Sequence, residues 1–77
     1  MTKVIVTVMP KQGVLDPQGQ AVAGALGQLG FAGVGEVRIG TRIELSIAGD
    51  DPTGQARAMC EQLLANALIE YYSVETA

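Results

Sequence analysis

An α+β fold with the element order β-α-β-β-α-β is what this sequence predicts, and three observations carry the prediction. A β-branched run opens the chain, two helix starts each pair an aspartate with a proline, and apolar residues alternate with polar ones through residues 34–48. The opening run, residues 3–9 (Lys-Val-Ile-Val-Thr-Val-Met), favours a strand because β-branched side chains pack well on a pleated surface. Val4, Val6 and Val8 then share one face, and Ile5, Thr7 and Met9 share the other. Both faces are more apolar than contact with water alone requires. Such a sheet wants helices on one side and a further layer, such as another subunit, on the other. Pro10 has no N–H to give a ladder, so the strand ends there.

The most informative stretch follows: Pro10-Lys11-Gln12-Gly13-Val14-Leu15-Asp16-Pro17-Gln18-Gly19-Gln20-Ala21-Val22. Gly13 permits a sharp turn. Asp16 can accept hydrogen bonds from the first free amides of a helix, and Pro17 fits the first helical position. From Asp16 to about Leu29 the apolar residues Ala21, Val22, Ala25, Leu26 and Leu29 keep helical spacing, and Gly30 suits the C-terminal stop. Gly19, Gly24 and Gly27 each cost this helix about 1 kcal/mol relative to alanine. Two readings stay open for them: a tolerated weakness, or a close backbone approach by a neighbouring element.

Residues 34–39 and 43–48 form the clearest hairpin pattern. A two-residue loop at Gly40-Thr41 would set Ile39 against Arg42, mixing apolar with charged. A three-residue loop, Gly40-Thr41-Arg42, instead pairs Ile39 with Ile43, Val37 with Leu45 and Arg38 with Glu44, which satisfies both faces. The Arg38–Glu44 pair would lie on the outer sheet face. Gly49 to Gly54 is a turn feeding a second helix, capped by Asp51 ahead of Pro52. Ala56, Met59, Cys60, Leu63, Leu64 and Ala67 give that helix a wide apolar stripe ending near Asn66. A final strand from Ile69 to Glu75 sends Tyr71 and Tyr72 to opposite faces, one to the core and one to solvent or a subunit contact. The whole is one domain over residues 1–77, in the ferredoxin-like order, with an antiparallel sheet and both helices on one face. That architecture hosts many functions, so the fold alone decides none.

Size and composition narrow the field. A chain of 77 residues buries only roughly 60–65 % of its unfolded surface and is marginal on its own. Cys60 is the only cysteine and histidine is absent, so an internal disulfide and the commonest metal ligand are both missing. Association with other subunits is the remaining source of stability. The net charge of −3 and the scattered cations (Lys3, Lys11, Arg38, Arg42, Arg57) give no basic stripe for nucleic acid. Phe31, Tyr71 and Tyr72 make no stacking platform for bases. No signal peptide and no membrane span are legible, and a lone cysteine suits a reducing compartment, so the chain reads as cytoplasmic.

Catalytic constellations are equally scarce. Cys60 falls in the apolar stripe, where a small buried hydrophobe is expected. Asp50 and Asp51 read as turn and cap residues. No CxxC offers a metal site, and no GxxxxGK[ST] or GxGxxG offers a phosphate loop. Gly33-Val34-Gly35 precedes a strand rather than a helix, so it supplies no amide cradle. No active site is legible.

Three blocks resemble a known family. The first is Gly13-Val14-Leu15-Asp16-Pro17-Gln18-Gly19 followed by Ala21-Val22. The second is Leu29-Gly30-Phe31, Val34 and Val37-Arg38-Ile39-Gly40, with Arg42 and Glu44-Leu45 beyond. The third is Met59-Cys60-Glu61, Leu63-Leu64-Ala65-Asn66, Ile69-Glu70 and Tyr72. In this order, over residues 3–75, they resemble the PurS family, the small subunits of phosphoribosylformylglycinamidine synthase. The resemblance implies a ferredoxin-like subunit that associates through its sheet as a homodimer or a dimer of dimers. It implies a complex with a glutaminase subunit and a large synthetase subunit, making formylglycinamidine ribonucleotide from formylglycinamide ribonucleotide, ATP and glutamine. ATP and Mg belong to the large subunit; the small one binds no cofactor, bridges the other two and assists ammonia transfer. Gly13, Asp16, Pro17 and Gln18 of the loop, with Arg38 of the sheet, are the expected partner contacts. Lys11-Gln12 lengthens a link that is shorter in some relatives, and Ala67 stands where proline is frequent. An ACT-like amino-acid-binding module shares the element order, but such modules are usually appended to longer enzymes. An acylphosphatase-like enzyme would want an arginine in the loop where this chain has Lys11.

Overall fold

The computed structural model describes residues 1–77. Strand β1 spans Thr2–Pro10, helix α1 Pro17–Gln28, strand β2 Thr41–Ile47, helix α2 Pro52–Met59 and strand β3 Glu70–Thr76. The strands form one antiparallel sheet in the order β2-β1-β3, with Val6 opposite both Ile43 and Val74. This is the α+β, ferredoxin-like arrangement, carried on three strands.

Burial follows the period of the central strand. Val4, Val6 and Val8 are buried, together with Ile47 of β2 and Ala56 and Cys60 from the helical layer. Ile43, Leu45, Leu64, Tyr72 and Val74 pack around them, half-buried. The opposite face is less apolar than β1 alone implies. Beside Ile5, Thr7 and Met9 the neighbouring strands set Arg42, Glu44, Ser73 and Glu75. Lys3 Nζ lies 2.6 Å from a Glu44 carboxylate oxygen, and Arg42 pairs with the other oxygen. These ion pairs hold the Glu44 carboxyl below its usual range, Lys3 first and Arg42 second.

The predicted hairpin is not formed. Residues 34–40 join no ladder, and the chain runs through Gly40 directly into β2. The expected Arg38–Glu44 pair is replaced accordingly: Glu44 takes Lys3 and Arg42, while Arg38 donates to the Pro10 carbonyl. The physical reason is competition for backbone partners. β2 pairs along one whole edge of β1, whereas residues 37–39 are engaged by groups at the start of α1.

The helices also divide unequally. α2 packs on β1 and β3, while α1 has no extensive packing with any other element. The molecule measures 49 × 25 × 14 Å, with a radius of gyration of 15.7 Å. A compact chain of this length would have about 11–12 Å. Residues 11–40 thus make a projecting arm, and the expectation of two helices side by side on the sheet is met only by α2.

Beyond Met59, α2 continues into a π turn at Cys60–Leu64, closed by the Ala65 N–H donating to the Cys60 carbonyl at 3.0 Å. The wider turn advances the helix out of its 3.6-residue phase. Ala56, Cys60 and Leu64 still face the sheet, but Leu63, expected in the buried stripe, is 82 % exposed. Of the two tyrosines, Tyr72 faces the core and Tyr71 faces solvent, as alternation requires.

Val6 occupies the centre of this core, so Val6→Ala should lower stability by about 2 kcal/mol, combining lost transfer energy with a small cavity. Thr7→Ala, on the outer face, should change it by less than about 0.5 kcal/mol. Urea unfolding of the two variants checks the contrast.

Candidate functional site

Both helices begin with the same four-residue device, Asp-Pro-x-Gly. At α1 the Gly19 N–H donates to Asp16 Oδ1 at 3.0 Å; at α2 the Gly54 N–H donates to Asp51 Oδ1 at 3.2 Å. The proline occupies the first helical position in each. The glycine at the third position lets the cap carboxylate fold back over the helix, because a Cβ there would overlap that carboxylate in both helices.

The two caps differ in what the second oxygen does. Asp51 makes only its cap. Asp16 Oδ2 also accepts from the Ile39 N–H at 2.8 Å, across 23 residues. Gly19 is buried by the same approach: a Cβ on it would overlap the Val37 carbonyl oxygen. Arg38, between these two contacts, donates to the Pro10 carbonyl and has Glu36 at 3.8 Å. Just beyond, Gly40 lies against the Val8 carbonyl and Met9, with no room for a side chain. Four backbone segments therefore meet at one junction: the end of β1, the start of α1, residues 37–39 and the entry to β2. The amides of Gly19 and then Ile39, with Arg38 adding a charge effect, hold the Asp16 carboxyl below the ordinary aspartate range.

The structure brings two of the five expected contact residues into this junction. Asp16 and Arg38 are both in it, each bonded within the chain. Pro17 and Gln18 are exposed on the first turn of α1. Gly13 sits apart in the preceding turn with φ of +84°, which favours glycine, and Val14 N–H closes that turn on the Lys11 carbonyl at 3.1 Å. Lys11 turns back to the body, donating through Nζ to the Ala67 carbonyl at 2.7 Å. Sequence reasoning missed Gly40 and left Gly19 open between two readings. The signal for Gly19 was its place three residues after a capping aspartate. Gly24 and Gly27 face open space, so for them the weak-helix reading holds.

Beyond the junction, α1 ends at Gly30 with φ of +98°; Phe31 N–H donates to the Leu26 carbonyl at 3.0 Å and Gly30 N–H to that of Gly27 at 3.1 Å. The arm carries Leu15, Val22, Leu29, Phe31 and Val34 uncovered, with Leu29 74 % exposed. Cys60 is enclosed, and burial followed by the charge of Glu61 pushes its thiol up, away from the reactive thiolate. Tyr72 donates to Glu61 at 3.2 Å, and its hydroxyl is likewise raised, by burial and then by Glu61.

A small α+β body with an apolar arm that no other element of the chain covers defines the class of protein. Within that class the chain belongs to the PurS family. The family model described as PurS, phosphoribosylformylglycinamidine (FGAM) synthase, matches residues 3–77. The phosphoribosylformylglycinamidine synthase subunit PurS of Mycobacterium leprae is 45 % identical over 96 % of this chain and 94 % of its own length. The solved structure of Bacillus subtilis PurS superposes with a TM-score of 0.90 at 46 % identity, covering 100 % of this chain and 99 % of that one. A chain in the PurLQS structure from Thermotoga maritima shares the fold, with a TM-score of 0.76 at 23 % identity over 99 % and 96 % of the two chains.

Two measurements probe the junction. Gly19→Ala should loosen α1, because the new methyl meets backbone, whereas Gly24→Ala should firm it by about 0.5–1 kcal/mol. Amide hydrogen exchange along α1 reads both directions. In an NMR pH titration the Ile39 amide resonance should move with a midpoint below 3.8, the ordinary value from which Asp16 is lowered. The sign follows from linkage. With the folded value depressed, the contact contributes in full above the unfolded value and is lost as pH falls through the lower midpoint.

Proposed function

We propose that this chain is the small, non-catalytic subunit of a phosphoribosylformylglycinamidine synthase in de novo purine (IMP) biosynthesis. In this reading it bridges a glutaminase subunit and a large ATP-dependent synthetase subunit in the cytoplasm and assists ammonia transfer between them. ATP and Mg act on the large subunit. Membership of the PurS family over residues 3–77 is the observation that carries the proposal. The physical logic is containment. Ammonia released at one site is protonated if it escapes to bulk water, and a protonated amine is no nucleophile. A small rigid chain that seals the seam between two catalytic subunits needs complementary surfaces rather than reactive groups. Of the expected contact residues, Pro17 and Gln18 on the first turn of α1 are exposed and free to meet such a surface, Gly13 lies in the preceding turn, and Asp16 and Arg38 are bonded within the chain at the root of the arm.

A second copy of the chain is the nearest occupant for part of the uncovered surface. Ile43 and Leu45 on the helical face of β2 are only half-buried, because α1 does not lie over them. The apolar side of α1, with Val22 and Leu26, is free to cover such a row in another protomer. This favours the homodimer or dimer of dimers expected of the family.

The deciding experiment is glutamine-dependent formation of formylglycinamidine ribonucleotide by purified glutaminase and synthetase subunits, with and without this chain. Product should appear only when the chain is added, and the chain alone should be inert. Equal rates without it would overturn the proposal and turn attention to amino-acid binding.

A further inference from the structure

We infer that Asp16 is a positioning residue: its carboxylate clamps the two ends of the arm together and so fixes how α1 is presented to other subunits. This rests on the assembly role proposed above and assigns that role to a contact inside the chain, not to a contact with a partner. The argument begins with what α1 lacks. It has no extensive packing against any other element, so its direction relative to the sheet is set at its root. Two chain segments leave the body there, residues 11–16 outward and residues 37–40 on the return. Two free strands of chain make a hinge, whereas two strands cross-linked near their base make a rigid bracket.

Asp16 supplies the cross-link. One carboxylate oxygen takes the Gly19 N–H at 3.0 Å and the other the Ile39 N–H at 2.8 Å. Hydrogen bonds to a charged acceptor are among the stronger ones. The chain carries its own control in Asp51, which has the same Asp-Pro-x-Gly sequence and the same cap, yet bonds to nothing outside its helix. Capping therefore does not require the second bond. The surroundings at Asp16 are shaped for it as well: Gly19 lets the Val37 carbonyl approach, and Arg38 ties the return segment to the end of β1 through the Pro10 carbonyl.

Substitutions at Asp16 separate the clamp from the cap. Asparagine and serine both cap helices well, but each keeps only one acceptor oxygen at this position; alanine keeps none. The readouts are the chain concentration giving half-maximal glutamine-dependent turnover, and hydrogen exchange at the Ile39 amide in the free chain. With a clamp, Asp16→Asn and Asp16→Ser should each raise the half-maximal concentration about tenfold, with turnover at saturation retained. Ile39 exchange should quicken while the amides of β1 stay protected. If both variants match the wild type and only Asp16→Ala fails, Asp16 is a cap and the inference falls. Weakened assembly with Ile39 exchange unchanged would mean that Asp16 touches a partner directly, which also overturns it. Should the wild-type chain give no stimulation at all, the assembly role fails separately, and Ile39 exchange alone decides whether the clamp exists.

Discussion

Everything in this molecule hangs on one strand. β1 is the only element flanked on both edges, and its three inward valines are the only large side chains besides Cys60 that are wholly enclosed. The helical layer above them is a single short helix, so the core is one residue row deep on each side of the strand. Such a core accounts for the small residues in α2: Ala56 and Cys60 sit directly over the valines, where a larger side chain would lift the helix off the sheet. It also accounts for the π turn. By closing on Cys60, the helix can end over β3 and leave Leu64 and Ala65 packed at the margin of the core, at the cost of turning Leu63 outward.

The remainder of the chain is governed by backbone hydrogen bonds, and here sequence reading had uneven success. Elements announced by local chemistry were legible to within a residue or two. The proline ends β1, the two aspartate–proline pairs start the helices, and Gly30 stops α1. That Tyr71 and Tyr72 take opposite faces followed from alternation, which did not say which of them meets the core. The hairpin at residues 34–48 was not legible, although its pattern was the cleanest in the chain. Alternation states which side chains share a face, but not which strand they lie beside. Ile43 and Leu45 satisfy the same rule next to Val6 and Val4 as they would next to Ile39 and Val37. Sequence alone could not rank a local partner against the distant, more apolar one.

The junction was half legible for the same reason. Asp16 was readable as a cap because capping is local, while its second bond, to an amide 23 residues away, has no sequence signature. Gly19 shows how the two levels combine. Against a capping aspartate, a glycine at the third helical position is useful in either helix. Only the return of residues 37–39 makes it necessary in α1, and only there is it buried.

Why a chain this small should spend about two-fifths of its length on an arm it does not cover is a question of free energy. Folding α1 back onto the sheet would bury Val22, Leu26, Ile43 and Leu45 within one molecule. The contacts at Asp16 and Gly40 root the arm away from the sheet, and that apolar area stays uncovered within the chain. Burial that a chain forgoes on folding can be made on association, which would stabilise a subunit that is marginal alone. The arm must then be stiff, because each degree of freedom it retained when free would be lost on binding and would weaken the complex. Seen in these terms, the glycines of α1 fall into two kinds. Gly19 removes a side chain so that the root can lock, and Gly24 and Gly27 thin the helix where no other part of the chain touches it.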